Sequence, residues 1–180
     1  CDKHELLKLA TKWDDLGACR LFDSKEKDWH EAVGLFCVPK DSEFDRLIIN
    51  PKAINSRMHT ISEATKSLAP GAMLGLLHLG PEDVFRVNAD DLTDFYYTFQ
   101  ISRARALRNC IRIRFKPHEV SHLKCFESRF WDSEHVLISL NTLAMGDNLA
   151  VEIAQAAHAE VLRQYCGSMI PTEVLRYRFP

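Results

Sequence analysis

The apolar positions of this chain change period several times, and each change marks a predicted element. Leu6, Leu9, Ala10, Trp13 and Leu16 recur at helical spacing behind Asp2 and Glu5, which are spaced as a capping box, so the pattern predicts a helix over about residues 3–18. Val33-Gly-Leu-Phe-Cys-Val38 and Arg46-Leu-Ile-Ile49 are short β-type runs joined by the polar stretch Pro39–Asp45, which predicts a hairpin stopped by Asn50-Pro51. Residues 56–68 fit neither period, and Pro70-Gly71 marks a break. A strand is predicted over 84–91 and a largely helical stretch over 94–114. His135-Val-Leu-Ile-Ser-Leu140 reads as another strand. Ala150, Ile153, Ala154, Ala157 and Val161 form one apolar stripe, with Asp147 or Asn148 as cap, Gly167 past the end and Pro171 preventing continuation. Glu152 and His158 are expected on the solvent side or packing edge of that helix. Strands and helices mix without βαβ regularity, which makes the fold class α+β.

Composition narrows this picture modestly. The 180 residues are 46% hydrophobic and 27% charged with a formal charge of −2, which suits one good core or two small lobes and provides no global basic field. One segment departs from the average. Arg103, Arg105, Arg108, Arg112, Arg114 and Lys116 occur with no acidic residue among them, either as a phosphate-binding stretch or as a solvated helix face. The longest apolar run, 68–79, contains Pro70, Gly71 and His78 and is too short to span a bilayer, so no membrane partner is expected. Six scattered cysteines without a C-x-x-C pair read as reduced, mostly buried thiols of an intracellular protein, in cytoplasm or nucleus. The chain starts at Cys1 and stops within Arg176-Tyr-Arg-Phe-Pro180, which reads as an excerpt of a longer polypeptide.

The chemistry concentrates in Asn88-Ala-Asp-Asp-Leu-Thr-Asp-Phe-Tyr-Tyr-Thr-Phe99. A buried strand has no structural use for Asp90, Asp91 and Asp94, because unpaired charge in low dielectric is costly. Carboxylates at a strand end suit hard divalent cations such as Mg²⁺; the competing reading is an Asp-rich turn or helix cap. Strand alternation groups Asp91 with Phe85, Val87 and Ala89, and Asp90 with Arg86 and Asn88, so either carboxylate remains a candidate. A second metal candidate is Cys110 with His118, His122 and Cys125, where H-x₃-H-x₂-C spacing offers zinc ligands.

Four ordered segments resemble the reverse transcriptase family. Leu35-Phe-Cys-Val-Pro-Lys40 through Arg46-Leu-Ile-Ile-Asn-Pro-Lys-Ala-Ile-Asn55 is similar to the fingers hairpin. Asp91-Leu-Thr-Asp94-Phe-Tyr96-Tyr97 resembles the first palm motif, and Leu143-Ala-Met-Gly146 with Gln155 resembles the loop and helix usually written L-P-Q-G…F-Q. The resemblance spans roughly residues 33–165 and implies a partial right-hand polymerase fold, fingers plus incomplete palm. It implies an N-terminal helix and fingers region at 1–84, a palm strand at 85–99, a connection at 100–146 and a palm helix with C-terminal segment at 147–180.

Under that resemblance, Lys40 and Arg46 hold an incoming deoxynucleoside triphosphate, and Asp91, with Asp90 in reserve, binds Mg²⁺ as the catalytic ligand of a two-metal site. Asp94, Tyr96, Met145, Gly146 and Gln155 line the nucleotide, with Tyr96 as a steric gate against a ribose 2′-OH. The implied partner is an RNA or DNA template-primer. Met145 stands where the family often has Gln, and Ala144 and Val151 where it usually has Pro. No Asp follows Asp147, so the family's aromatic-x-Asp-Asp hairpin is absent from these residues and the implied metal site is incomplete. The alternative is a catalytically inactive reverse-transcriptase-like module that binds nucleic acid or protein.

Overall fold

A computed structural model describes residues 2–58, 71–87, 89 and 91–165. They belong to two units, one formed by Cys1–His59 with Phe95–Ala150 and one by Thr60–Asp94 with Val151–Pro180. Of the four segments expected from sequence, 1–84, 85–99 and 147–180 are each divided between these units, and 100–146 lies within the first.

In the first unit, helix α1 spans Lys3–Asp15. The predicted capping box is present: the Asp2 carboxylate accepts from Glu5 N at 2.8 Å and the Glu5 carboxylate from Asp2 N at 3.3 Å. The helix ends before residue 18 because Gly17 takes a left-handed φ of 68°. That turn lets Gly17 N donate to Asp14 O and Ala18 N to Trp13 O, closing the helix and directing the chain into strand β1, Cys19–Asp23.

Three strands make an antiparallel sheet in the order β1-β5-β4, with β4 at Cys110–Phe115 and β5 at Val136–Leu140. The central strand β5 has no charged residue and is buried throughout, as a strand covered on both faces must be. Pleating divides its side chains. Val136, Ile138 and Leu140 join Leu6, Ala10 and Trp13 of α1 in the larger core, while Leu137 joins Phe22, Ala106 and Cys110 in a smaller one. Ser139 is accommodated because its hydroxyl donates to Ala106 O at 2.6 Å.

The predicted hairpin forms from β2, Gly34–Pro39, and β3, Asp45–Asn50, in a register running from Gly34↔Asn50 to Pro39↔Asp45. It springs from the free edge of β4, where Val33 N donates to Cys110 O and Arg112 N to Val33 O, each at 2.9 Å. Short helices α2 (Lys52–Asn55), α3 (Arg103–Ala106) and α4 (Pro117–Val120) complete this unit.

The stretch 94–114, expected to be largely helical, is helical only in short pieces and ends in a strand. A 3₁₀ turn at Phe95–Thr98, α3, a second 3₁₀ turn at Leu107–Asn109 and strand β4 occupy that stretch. Ile111, Ile113 and Phe115 alternate with Arg112 and Arg114, and this period of two places Ile111 and Phe115 in the core.

In the second unit a 3₁₀ helix spans Gly71–Leu76, and α5, Ala150–Tyr165, runs into it from the first unit as predicted. Glu152 is buried, contrary to the expected solvent or edge position, whereas His158 is half-buried. The expected strand over 84–91 is not formed among its described residues. Val84, Phe85 and Val87 are 77%, 49% and 64% exposed. A strand needs a neighbour for its backbone groups, and no described residue provides one here. Residues 59–70, Asn88, Asp90, Gly167 and Pro171 lie outside the described residues.

Candidate functional site

The loop between β5 and α5, residues 141–149, is where chain segments far apart in sequence meet. Ile49 N at the end of the hairpin donates to Met145 O at 3.1 Å, and the Asn55 amide donates to Gly146 O at 2.8 Å. From another direction Leu143 N donates to Phe99 O at 3.1 Å and Ile101 N to Asn141 O at 3.2 Å, so the stretch after the aromatic turn pairs with the start of the loop. Beneath it, the buried Asn109 amide donates to Leu140 O and Thr142 O. Arg105 pairs with Asp147 at 2.5 Å in a mostly buried ion pair, and Asp147 also accepts from Leu149 N at 2.8 Å at the entry to α5. The Asp147 carboxylate thus closes a turn just ahead of α5, and this bond to Leu149 N lies outside the helix, short of the N–H groups that a cap would take.

Gly146 is required by this arrangement. Its φ is 106°, and a Cβ built there would lie 2.1 Å from Ile49 O. The hairpin can sit against the loop only because no side chain intervenes. Met145 contributes its backbone carbonyl to this contact, so a Gln is not needed there for the hairpin to dock.

The sequence candidates divide between the units. Lys40 and Arg46 are exposed at the outer end of the hairpin. The tip itself is organised by Asp41, whose carboxylate accepts from Glu43 N and Phe44 N at 2.9 Å; those hydrogen bonds hold its carboxyl below the ordinary value. Tyr96 is half-buried in the 3₁₀ turn beside Phe95, while Tyr97 packs against the larger core. Met145 and Gly146 occupy the loop just described. Asp91, Asp94 and Gln155 belong to the second unit. Both aspartates are exposed, Gln155 is half-buried, and Asp94 has a left-handed φ of 52°, which aspartate tolerates in turns. Asp90 lies outside the described residues.

The basic segment is largely used internally. Arg103 pairs with Glu26 at 2.6 Å and lies over the Phe22 ring; Arg105 pairs with Asp147. The Arg112 guanidinium donates to Ala32 O and His30 O, Arg114 stacks over Trp29, and Lys116 donates to Glu134 O. These contacts tie β4 and α3 to their neighbours, and Arg103, Arg108, Arg112, Arg114 and Lys116 nevertheless stay exposed, so the run is cationic surface but not one continuous helix face.

The Cys110, His118, His122 and Cys125 set is not brought together. Among the described residues one group of potential ligands has donor atoms all within 4.8 Å of one another: Asp14, Cys19 and Cys125. Asp14 closes α1, Cys19 opens β1, and Cys125 lies in the turn after α4. Sequence reasoning missed it because its members are scattered over more than a hundred positions; the only local signal was buried-type residues around Asp14. Burial pushes the Cys110 thiol up to about 12, and Cys125 is pushed up by its hydrogen bond with Cys19 and by burial.

A cleft of about 400 Å³ lies at the foot of the hairpin, lined by Gly34, Asn50, Lys52, Ile54 and Arg112 among others; of the sequence candidates it includes Arg112 of the basic segment and none of the residues named for the nucleotide or the metal. No described helix is long and apolar enough to cross a membrane. The chain matches no protein-family model, and a search of curated proteins finds no match.

Proposed function

We propose that the chain is part of a reverse-transcriptase-like polymerase, contributing the fingers hairpin and part of the palm to template-directed addition of deoxynucleotides. The observation that carries this reading is the convergence on the 141–149 loop: the hairpin exit at Ile49–Asn55 and the stretch following Tyr96 both hydrogen-bond to it. A polymerase needs its triphosphate-holding hairpin, its sugar-sensing ring and its base-pair loop around one nucleotide. Here the segments named for those three roles are held by one sheet-backed unit. Lys40 and Arg46 would meet the triphosphate, Tyr96 the sugar, and the Gly146 backbone the nascent pair. Asp91, in the second unit, would be a carboxylate ligand for Mg²⁺, which would supply charge stabilisation for phosphoryl transfer. The reading requires further carboxylates, since no Asp follows Asp147.

The inactive-module alternative draws on a specific observation as well. Asp91 is exposed in a stretch without strand structure, whereas a metal-binding carboxylate must be held rigidly. Deoxynucleoside triphosphate binding to this chain, followed by fluorescence of a labelled nucleotide, tests the polymerase reading. Lys40→Ala and Arg46→Ala should each weaken it on the order of tenfold, the worth of one charge-assisted contact. Binding that is absent in the parent chain, or undiminished in both variants, would contradict the reading.

A further inference from the structure

We propose that Asp14, Cys19 and Cys125 form a zinc site that ties the end of α1, the start of β1 and the turn after α4 into one unit. Three lines of chemistry converge on it. The first is geometry: three ligand atoms from separate elements lie within 4.8 Å of one another, which is the spacing of groups arranged around a shared centre. The second is the state of Asp14. It is only 8% exposed, its carboxylate accepts the backbone N–H groups of Lys124 and Cys125, and among the described residues no cationic side chain lies within ion-pair distance of it. This buried carboxylate at the negative end of a helix dipole also bonds to the Cys125 thiol and feels the Lys124 ammonium beyond ion-pair distance, so a divalent cation would replace a thiol proton as its close partner. Its neighbour Asp15, by contrast, is exposed and pairs with Lys124 at 2.6 Å.

The third is donor type. Two thiols with one carboxylate select a borderline-soft ion such as Zn²⁺ and disfavour Mg²⁺ or Ca²⁺, which take oxygen ligands. On binding, the two thiol protons leave to solvent and two Zn–S bonds and one Zn–O bond form. The site then carries a charge of 2 − 2 − 1 = −1, and Asp14 still keeps its backbone partners because each carboxylate oxygen has a second lone pair. No further His, Cys, Asp or Glu joins the group among the described residues, so a water completes the tetrahedron from the side on which Cys125 is half-exposed. This site does not depend on the polymerase reading and would stand if that reading failed.

Cobalt substitution tests it. The reduced, metal-free chain is titrated with Co²⁺ while thiolate-to-cobalt charge-transfer absorption is recorded, and Zn²⁺ is then added. The expected result is saturation at one Co²⁺ per chain, bleaching by Zn²⁺, and a rise in the melting temperature with zinc. Cys125→Ser should weaken binding by more than about a hundredfold, beyond the loss typical for an outer-shell partner. Cys37→Ser should leave it unchanged, since Cys37 is exposed on the hairpin. Asp14→Asn removes the charge and keeps an oxygen for only one of the Lys124 and Cys125 N–H groups, which bond to different carboxylate oxygens; a folded Asp14→Asn chain should bind Co²⁺ more weakly even if Cys125→Ser fails to fold. Absence of charge-transfer absorption in the parent chain would overturn the proposal. So would undiminished binding in a folded Cys125→Ser chain, undiminished binding in Asp14→Asn, or loss in Cys37→Ser.

Discussion

The sheet-backed unit and the stretch from Gly71 to Asp94 treat the same kinds of residue in opposite ways. In the first, Phe22, Phe115 and Phe130 are essentially inaccessible; in the second, Val84, Phe85 and Val87 stay largely exposed. In the first, backbone groups of the candidate loop are taken up by Phe99, Ile49 and Asn55, whereas Asp91 lies in a stretch without strand pairing. The difference teaches that a motif acquires geometry from what packs behind it. The Gly146 loop has β5, Asn109 and the Arg105–Asp147 pair beneath it, so its position is fixed by the core. Asp91 has the residue type the proposed role calls for and no such support among the described residues.

The comparison breaks most easily at the aromatic residues. Phe22→Ala or Phe115→Ala should cost about 3–5 kcal/mol, the usual loss for a fully buried phenylalanine. Phe85→Ala, at an exposed position, should stay within about 0.5 kcal/mol. Chemical denaturation of the three variants checks this, and equal losses would erase the distinction.

Glycine offers a second contrast. Gly146→Ala should cost at least about 2 kcal/mol, since the left-handed backbone is strained for alanine and the new Cβ meets Ile49 O. Gly75→Ala, with nothing within 4 Å of its Cβ position and a helical backbone, should be neutral within about 0.5 kcal/mol. Hydrogen exchange at Ile49 N should accelerate in the first variant and remain unchanged in the second.

Arg105→Ala should cost about 2 kcal/mol, less than the 3–5 kcal/mol for a fully buried pair, because Arg105 keeps some solvent contact while Asp147 is left buried beside α5. Chemical denaturation measures it, and a loss no larger than that for the exposed Lys124→Ala would contradict it.

The smallest effect is acidic. Burial raises the Asp23 carboxyl, but the Lys25 backbone N–H and the Ser133 hydroxyl outweigh it, and the net shift is downward from 3.8. A carboxyl with a depressed value in the folded state contributes stability above 3.8, and that contribution fades as pH falls below it through the folded-state value. Asp23→Asn should therefore flatten the acid limb of the stability–pH curve below 3.8 and leave the chain's pH 7 fold intact.

Much of the first unit was legible in the sequence because its signals are local. The capping box at Asp2 and Glu5, the two β runs around Pro39–Asp45, and the uncharged run at Val136–Leu140 all act within a few residues. Strand β1 escaped because Cys-Arg-Leu-Phe-Asp is too short to show a period. Strand β4 escaped because its arginines read as a helix face, although the Ile-Arg-Ile-Arg-Phe alternation was present. The strand over 84–91 was read from an alternation that has no pairing partner among the described residues. For the proposed site, Lys40, Arg46, Tyr96 and Gly146 were singled out by motif spacing, while the Asp14, Cys19 and Cys125 group had no such spacing to show it. It exists only after α1, β1 and the turn at Cys125 have packed together.

The central claim is that these residues serve nucleotide addition, and primer extension tests it most directly. A polypeptide joining this chain to an aromatic-x-Asp-Asp element should extend a primer in Mg²⁺, and Asp91→Asn should abolish extension while leaving the fold intact. The 180-residue chain by itself should extend nothing, because one carboxylate cannot position two metal ions. Full activity of the Asp91→Asn protein, or none in the parent despite both carboxylate motifs, would contradict the account.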